Sequence, residues 1–460
     1  AGGSRRRERG PRGRSERDPA GPVPVIMSGM RILVVGHGGR EHALLWTLRR
    51  DDPSAELFAT RPNGGMAPLC QGVDLAPTDV HGLAAWGEEH RPDLTVVGPE
   101  APLAAGLVDR FREAGLPVFG PTRAAARIES SKAYAKALME EAGVPTAAHR
   151  TFDDADEAES WIRRRGGPLV VKASGLAAGK GALVCPGTEA AVGAARGMLA
   201  EEAFGEAGQV VVVEERMEGE ELSVFAVCDG TRAVYLLPSQ DHKRVGEGDT
   251  GLNTGGMGAY APVSIATPAL LEEARTRVFE PTLAALAADG APFTGILYGG
   301  LMKTGEGLKV VEFNCRFGDP EAQVVLPLLE SSLLELMATV AEGGSVDGLS
   351  PRVRDGAAVT TVVASGGYPG AYEKGKEIRI PGGLEGEGLT VFHAGTRRDG
   401  DRLVTDGGRV LAVTAVGADF REAAVRSREG AAAIEFEGAF FRPDIGWREA
   451  ERIQSREEDA

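Results

Sequence analysis

From position 31 the chain repeats one local grammar: a short apolar run, a glycine-rich break, then a segment of helical period. Arg31 to Val35 leads through Gly36-His37-Gly38-Gly39-Arg40-Glu41 into His42 to Arg50, and Leu94 to Val97 leads into Gly98-Pro99-Glu100-Ala101-Pro102-Leu103. Strands that are apolar on both faces need helices on both sides, and strands joined through helices run parallel. Residues 30–125 are therefore expected to form an open parallel α/β sheet. Ligands of such sheets meet the carboxyl ends of the strands, where both glycine-rich loops sit.

At 460 residues the chain exceeds one core, so more domains follow. A boundary is expected near Gly120-Pro121-Thr122, and Ser131 to Ala142 forms an amphipathic helix stopped by Gly143-Val144-Pro145. A central unit over 126–350 holds a small lobe at about 146–217, where Leu169 to Lys172 and Val210 to Glu214 are the clearest strands. Val359 to Ala364, Glu377 to Ile380 and Val410 to Val416 predict a β-rich C-terminal domain over 351–450, then a tail over 451–460. Residues 1–29 differ in kind. Arg5, Arg6, Arg7, Arg9, Arg12, Arg14 and Arg17 lie among Gly, Pro and Ser with no apolar period, predicting a disordered extension with the working start at Met27 or Met30. Glu8, Glu16 and Asp18 interrupt it in a way a transit peptide would not allow.

Composition narrows the function. A net charge of −16 disfavours nucleic acid as a partner, and no apolar run reaches the ~18 residues a membrane helix needs. Cys70, Cys185, Cys228 and Cys315 have no paired spacing, which points to reduced structural thiols and a cytoplasmic protein.

Three segments carry chemistry. The loop at 36–41 either makes a tight strand-to-helix turn or holds a phosphate on backbone N–H groups, and Arg40 favours an anion. Position 41 is Glu where the dinucleotide fingerprint has its third glycine, which counts against an oxidoreductase. The second segment, Val170-Val171-Lys172-Ala173-Ser174-Gly175-Leu176-Ala177-Ala178-Gly179-Lys180-Gly181, is not a P-loop. Only three residues separate Gly175 from Gly179-Lys180, and no Ser or Thr follows. A flexible cover over a triphosphate fits it better. The third, Val310 to Glu321, sets Glu312, Asn314 and Arg316 at alternate positions of a predicted strand, so that the three share one face. Oxygen donors beside a guanidinium suit magnesium-bound phosphates and a carboxylate or acyl phosphate.

Taken in order, Lys132, Lys172, Glu214-Glu215-Arg216-Met217 and Gly219-Glu220-Glu221-Leu222-Ser223 resemble the ATP-grasp ligases. Gly36 to Ala43, Ser239-Gln240-Asp241-His242-Lys243-Arg244, Asn253-Thr254-Gly255-Gly256-Met257-Gly258-Ala259-Tyr260 and Glu312 to Glu321 narrow the resemblance to the phosphoribosylamine–glycine ligases of purine biosynthesis. The resemblance implies a two-lobed ATP-grasp fold at the centre of the chain, with ATP, glycine and 5-phosphoribosylamine as substrates. It places ATP on Lys132, Lys172, Lys180, Glu214, Glu215, Met217 and Glu221, and Mg2+ or Mn2+ on Glu312 and Asn314. Substrate-binding roles fall to Gly38, Gly39, Arg40, Glu41, Glu100, Asn253, Thr254, Gly255, Gly256, Met257, Gly258 and Asp319. Arg316, Lys243 and Asp241 become the catalytic candidates. A monomer is expected, and a dimer is compatible with the same sequence.

Two positions depart from the pattern. Position 174 is Ser where the family usually has Asp, and Gly295 to Leu301, the strand that often brings a second acidic metal ligand, has no carboxylate. The rival readings are a bicarbonate-using carboxylase of the same superfamily and a binding-only protein that keeps the fold.

Overall fold

The structure, a computed structural model, describes residues 29–177, 181–200 and 205–459. Lys180 and nearly all of the Arg-rich extension lie outside these residues. Arg31–Val35 is the middle strand of a five-stranded parallel sheet, flanked by Glu56–Thr60 and Gln71–Val73 on one side and Leu94–Val97 and Val118–Phe119 on the other. The strand order reverses between Arg31–Val35 and Leu94–Val97, and a ligand crevice opens at such a switch point. Gly98 N–H donates to Val35 O at 3.0 Å, so both glycine-rich loops leave the sheet side by side there.

The helix expected at 131–142 is Lys132–Ala142. Ser131 accepts from Tyr134 N–H at its start, and Gly143 in the left-handed conformation ends it. Beyond it lies the small lobe. Its antiparallel sheet has the order His149–Phe152, Val211–Glu215, Leu169–Ala173, Ala182–Cys185, and its core includes Phe152, Ile162, Leu169 and Val213. The large lobe is built on a second antiparallel sheet of Ala233–Tyr235, Glu220–Asp229, Thr294–Thr304 and Gly307–Asn314.

The C-terminal sheet crosses the expected boundary at 350. Gln240–Asp241 and Gly258–Ala261 form its first two strands, followed by Ala357–Ala364, Arg409–Gly417 and Leu389–His393. The segment between the first two strands, carrying Lys243 and the Asn253 to Met257 loop, is therefore anchored at both ends in the C-terminal unit. Two details differ from expectation. Glu377 to Ile380 makes only isolated bridges, at Glu377 and Arg379, because its neighbours are a hairpin edge and a loop. The expected tail is helical over Trp447–Glu458, with Glu449 buried and Arg452 paired to Glu220 at 2.8 Å. No helix among the described residues is long and apolar enough to cross a membrane.

Candidate active site

The strand Gly307–Asn314 begins as a core strand, with Leu308 and Val310 buried. A bulge then intervenes: Leu301 pairs with Val310 while the adjacent Gly300 pairs with Glu312, leaving Val311 unmatched. One extra residue inverts the two-residue alternation. Phe313 and Cys315 continue the core, and Glu312 and Asn314 turn to the opposite face. Across the strand, Gly300 offers no side chain against Glu312. The strand ends at Asn314, which corrects the expected three-residue alternation: Arg316 lies in the following bend. Its guanidinium reaches Glu100 at 3.2 Å and Glu129 at 2.8 Å, tying the loop after Leu94–Val97 to the end of this strand.

Burial alone would raise the pKa of Glu312, but Lys243, Lys172, Lys132 and Arg316 hold it below the ordinary value. Four cations from four separate segments thus converge on one carboxylate. Lys172 donates to Val311 O at 3.0 Å and pairs with Glu214 at 2.9 Å. Glu214 is only 2% exposed and also meets Lys136 at 3.1 Å. Lys132 opens its helix, and Ser174 seats that helix: its carbonyl accepts from Lys132 N–H at 2.8 Å and its hydroxyl from Ala133 N–H at 3.0 Å. A helix's first N–H groups can be satisfied by any side-chain oxygen that reaches them, and the Ser174 hydroxyl does so where the family usually has a carboxylate, so the departure at position 174 keeps this contact. Glu215 ends its strand and receives Ala148 N–H at 3.1 Å. Met217 lies in the short connection from there to Glu220–Asp229, where the two lobes join.

Lys243 is ion-paired with Glu221. Burial works against its charge, yet Glu221 and Asp241 raise its pKa well above the ordinary value. Asp241 is pushed up to about 7 by burial, opposed by Lys243 and reinforced by Glu321, Glu221 and Glu312. Behind them Ser223 Oγ lies 3.0 Å from Tyr298 Oη and donates to Glu321 at 3.3 Å.

On the N-terminal side, Gly38 N–H donates to Glu41 at 2.6 Å and Arg40 N–H to Asp319 at 3.2 Å. The Arg40 side chain turns inward, to Glu41 at 2.6 Å and Phe317 O at 2.9 Å. Gly39 packs so closely on Gln323 that a Cβ would lie 2.6 Å from its Nε2. The Asn253 to Gly258 loop is held from the C-terminal sheet: Arg409 donates to Gly255 O at 2.5 Å and Asp319 O at 2.5 Å. Within it Thr254 Oγ1 donates to Lys243 O at 2.8 Å, and Gly256, at φ +113°, passes directly over Pro320.

The structure thus gathers Lys132, Lys172, Glu214, Glu221, Asp241, Lys243, Glu312 and Arg316 into one charged cluster, with Glu100 and Glu129 on its N-terminal flank. Three groups in the cluster were not singled out from the sequence: Glu129, Lys136 and Glu321. Glu129 lies on the buried stripe Ala125, Ala126, Ile128 of its helix, and Lys136 on the stripe Ala135, Leu138, Met139. A charged residue at an apolar position of a helical period is the signal that could have found both.

Three models of one family tile the chain: the phosphoribosylglycinamide synthetase N domain matches residues 30–129, its ATP-grasp (A) domain 130–322 and its C domain 358–448. The chain belongs to the phosphoribosylglycinamide synthetase family. Within that family it is 50% identical over 424 residues to a phosphoribosylamine–glycine ligase of Nostoc sp., covering 91% of this chain and 99% of that protein. It is 46% identical over 430 residues to the enzyme of that name from Vibrio vulnificus, covering 93% and 100%. The crystal structure of phosphoribosylamine–glycine ligase from Thermotoga maritima superposes with a TM-score of 0.79 at 33% identity, covering 90% of this chain and 100% of that one. A biotin carboxylase from Campylobacter jejuni shares the fold at a TM-score of 0.69 and 15% identity.

Members of this ATP-grasp family use ATP with a divalent metal. Glu312 and Asn314 fit one: an ionised carboxylate and an amide oxygen, both hard donors, alternate on one strand face. No group of three or more His, Cys, Asp or Glu side chains among the described residues could hold a metal alone. The donor set suits a cation that keeps phosphate oxygens and water as its remaining ligands.

Proposed function

We propose that this chain ligates glycine to 5-phosphoribosylamine, cleaving ATP to ADP and phosphate and giving glycinamide ribonucleotide, and that it does so at the charged cluster described above. The observation that carries this reading is the convergence of Lys243, Lys172, Lys132 and Arg316 on Glu312. A triphosphate needs cations, and a carboxylate at their centre makes sense when a metal also sits there.

Glycine's carboxylate is a poor electrophile. Its oxygen attacks the γ-phosphorus of ATP, forming glycyl phosphate and releasing ADP, and the work of the site is alignment and charge neutralisation. Lys132 and Lys172 hold phosphate oxygens, the connection from Glu214 to Met217 holds the adenine edge, and Glu221 holds the ribose hydroxyls. Glu312 and Asn314 would hold Mg2+ or Mn2+, which would supply neutralisation of phosphate charge. The amine of phosphoribosylamine then attacks the acyl carbon, and the C–O bond to phosphate breaks. Asp241, poised near neutrality, takes the proton the amine loses, while Lys243 and Arg316 neutralise the acyl phosphate oxygens. The crevice formed by Gly38, Gly39, Arg40, Glu41, Glu100 and Asp319 receives the phosphoribosyl group, and the Asn253 to Gly258 loop encloses the reacting end. Enclosure protects the acyl phosphate intermediate and the phosphoribosylamine substrate, both of which hydrolyse in water.

The test is ADP release with glycine and freshly made phosphoribosylamine added singly and together. Release only with both supports the reading. Bicarbonate-dependent release without glycine would support the carboxylase rival and overturn it.

A further inference from the structure

The buried group least explained by the reaction is Lys136. It lies on the apolar face of the Lys132–Ala142 helix and is only 3% exposed. Its ammonium meets Glu214 at 3.1 Å and donates to Thr146 Oγ1 at 2.7 Å. Glu214 is shared, since Lys172 holds its other oxygen at 2.9 Å. Two ammonium groups share this one carboxylate, so Glu214 cannot fully neutralise both, and Lys172 is left to act on Glu312 as well.

The same lysine reaches the metal-ligand strand by a second route. Thr146 Oγ1 passes the hydrogen bond on to Val310 O at 2.7 Å, and Lys172 donates to the next carbonyl, Val311 O, at 3.0 Å. Val310 and Val311 form the bulge that turns Glu312 toward the cleft. One ammonium therefore contacts the partner of Lys172 directly and, through Thr146, the device that aims Glu312.

We propose that Lys136 is a positioning residue for the nucleotide phosphates. By sharing Glu214 it keeps Lys172 from being fully neutralised by that carboxylate, and through Thr146 it fixes the bulge that presents Glu312, so the spacing between phosphate lysine and metal carboxylate is set by one buried charge. The proposal rests on the reading of Lys172 and Glu312 given above.

The test uses the full-length enzyme, after glycine- and phosphoribosylamine-dependent ADP release by the unsubstituted protein has been established; failure of that first step would count against the proposed function, not against this inference. Lys136→Met removes the charge with little change of shape. The expected result is a KM for ATP raised roughly tenfold or more, as removal of an outer-shell support commonly gives, with KM for glycine and for phosphoribosylamine within about twofold. Binding of a fluorescent ATP analogue, read without turnover, weakens in parallel. In the background Glu214→Gln/Thr146→Val, where both routes are already cut, adding Lys136→Met raises KM for ATP no further. Should Lys136→Met fail to fold, Thr146→Val interrupts the second route alone and is expected to raise KM for ATP selectively. Equal rises in all three KM values, unchanged ATP affinity, or a further rise on adding Lys136→Met to that background would overturn the proposal.

Discussion

His42, from the Gly36 to Ala43 motif, and His393, from the C-terminal sheet, form a buried pair where the two units meet. His393 N–H donates to His42 Nδ1 at 2.8 Å, and the rings meet edge to face at 5.6 Å. Gly65 packs on both, so closely that a Cβ there would lie 2.4 Å from the His393 ring. Burial, with His393 adding repulsion, lowers His42 to about 3, and burial with Arg398 lowers His393 to about 4. The unfolded chain titrates near 6.5. As pH falls below 6.5 the unfolded state takes up protons that the folded state refuses, so stability is lost toward pH 4 and 3. Integrated from pH 7 to pH 5, each histidine removes about 2 kcal/mol and the pair about 4 kcal/mol. Trp46 stacks edge-on against Phe392 at 6.0 Å and reports this seam. Urea unfolding followed by tryptophan fluorescence in a variant that keeps Trp46 alone (Trp86→Phe, Trp161→Phe and Trp447→Phe) measures the loss at both pH values, and His42→Asn, which keeps an acceptor near Nδ1, should shrink it by about 2 kcal/mol. Equal losses in the two proteins would mean that His42 is solvated or already charged when folded, and the argument would fail.

Other predictions concern the cleft. Glu312→Gln should lower kcat/KM for ATP by several kcal/mol of transition-state stabilisation, roughly what a metal contact supplies, with a steeper demand for magnesium in steady-state assays. Because burial holds Asp241 near 7, turnover should rise with pH through about 7 as its carboxylate forms, and Asp241→Asn should abolish that acid limb in a pH–rate profile. Ser174→Asp should leave KM for ATP within about twofold, since the cap on Ala133 N–H survives, whereas Ser174→Val should cost about 1 kcal/mol in thermal unfolding.

The N-terminal sheet was legible because its strands are continuous apolar runs ending in glycine-rich loops, a pattern with few alternative folds. The helix carrying Lys132 was equally legible from Ser131 and Gly143-Val144-Pro145. What escaped was long-range register. Nothing local in Val310-Val311-Glu312 marks a bulge, because its geometry depends on Gly300 pairing across the sheet; an unbulged strand would have sent Glu312 into the core beside Leu308 and Val310. The sharing of Gln240–Asp241 and Gly258–Ala261 with the C-terminal sheet was hidden for a related reason: both strands are short, and their partner lies almost a hundred residues on. Lys136 and Glu129 were visible only as charges on apolar helix faces, a signal that becomes specific once the opposing charge is placed.

Three cations of the cleft are ion-paired with carboxylates in the structure: Lys172 with Glu214, Lys243 with Glu221, and Arg316 with Glu100 and Glu129. Unpaired, these cations would repel one another in a partly dehydrated cleft, and the pairing removes that cost while leaving the lysines in place. It also sets a threshold. On the proposed reading, an incoming anion must compete with a carboxylate that is already bound, so a single-charged ion would gain little, whereas a metal-bound triphosphate would engage several cations together. Among the described residues the Lys132 ammonium has one hydrogen bond, to the carbonyl of Gly175 at 3.4 Å, and no ion pair. Lys132 feels the charge of Glu312 without an ion-pair contact and stands beside the glycine-rich loop expected to close over the phosphates, where on the proposed reading an arriving polyanion has no direct ion pair to break.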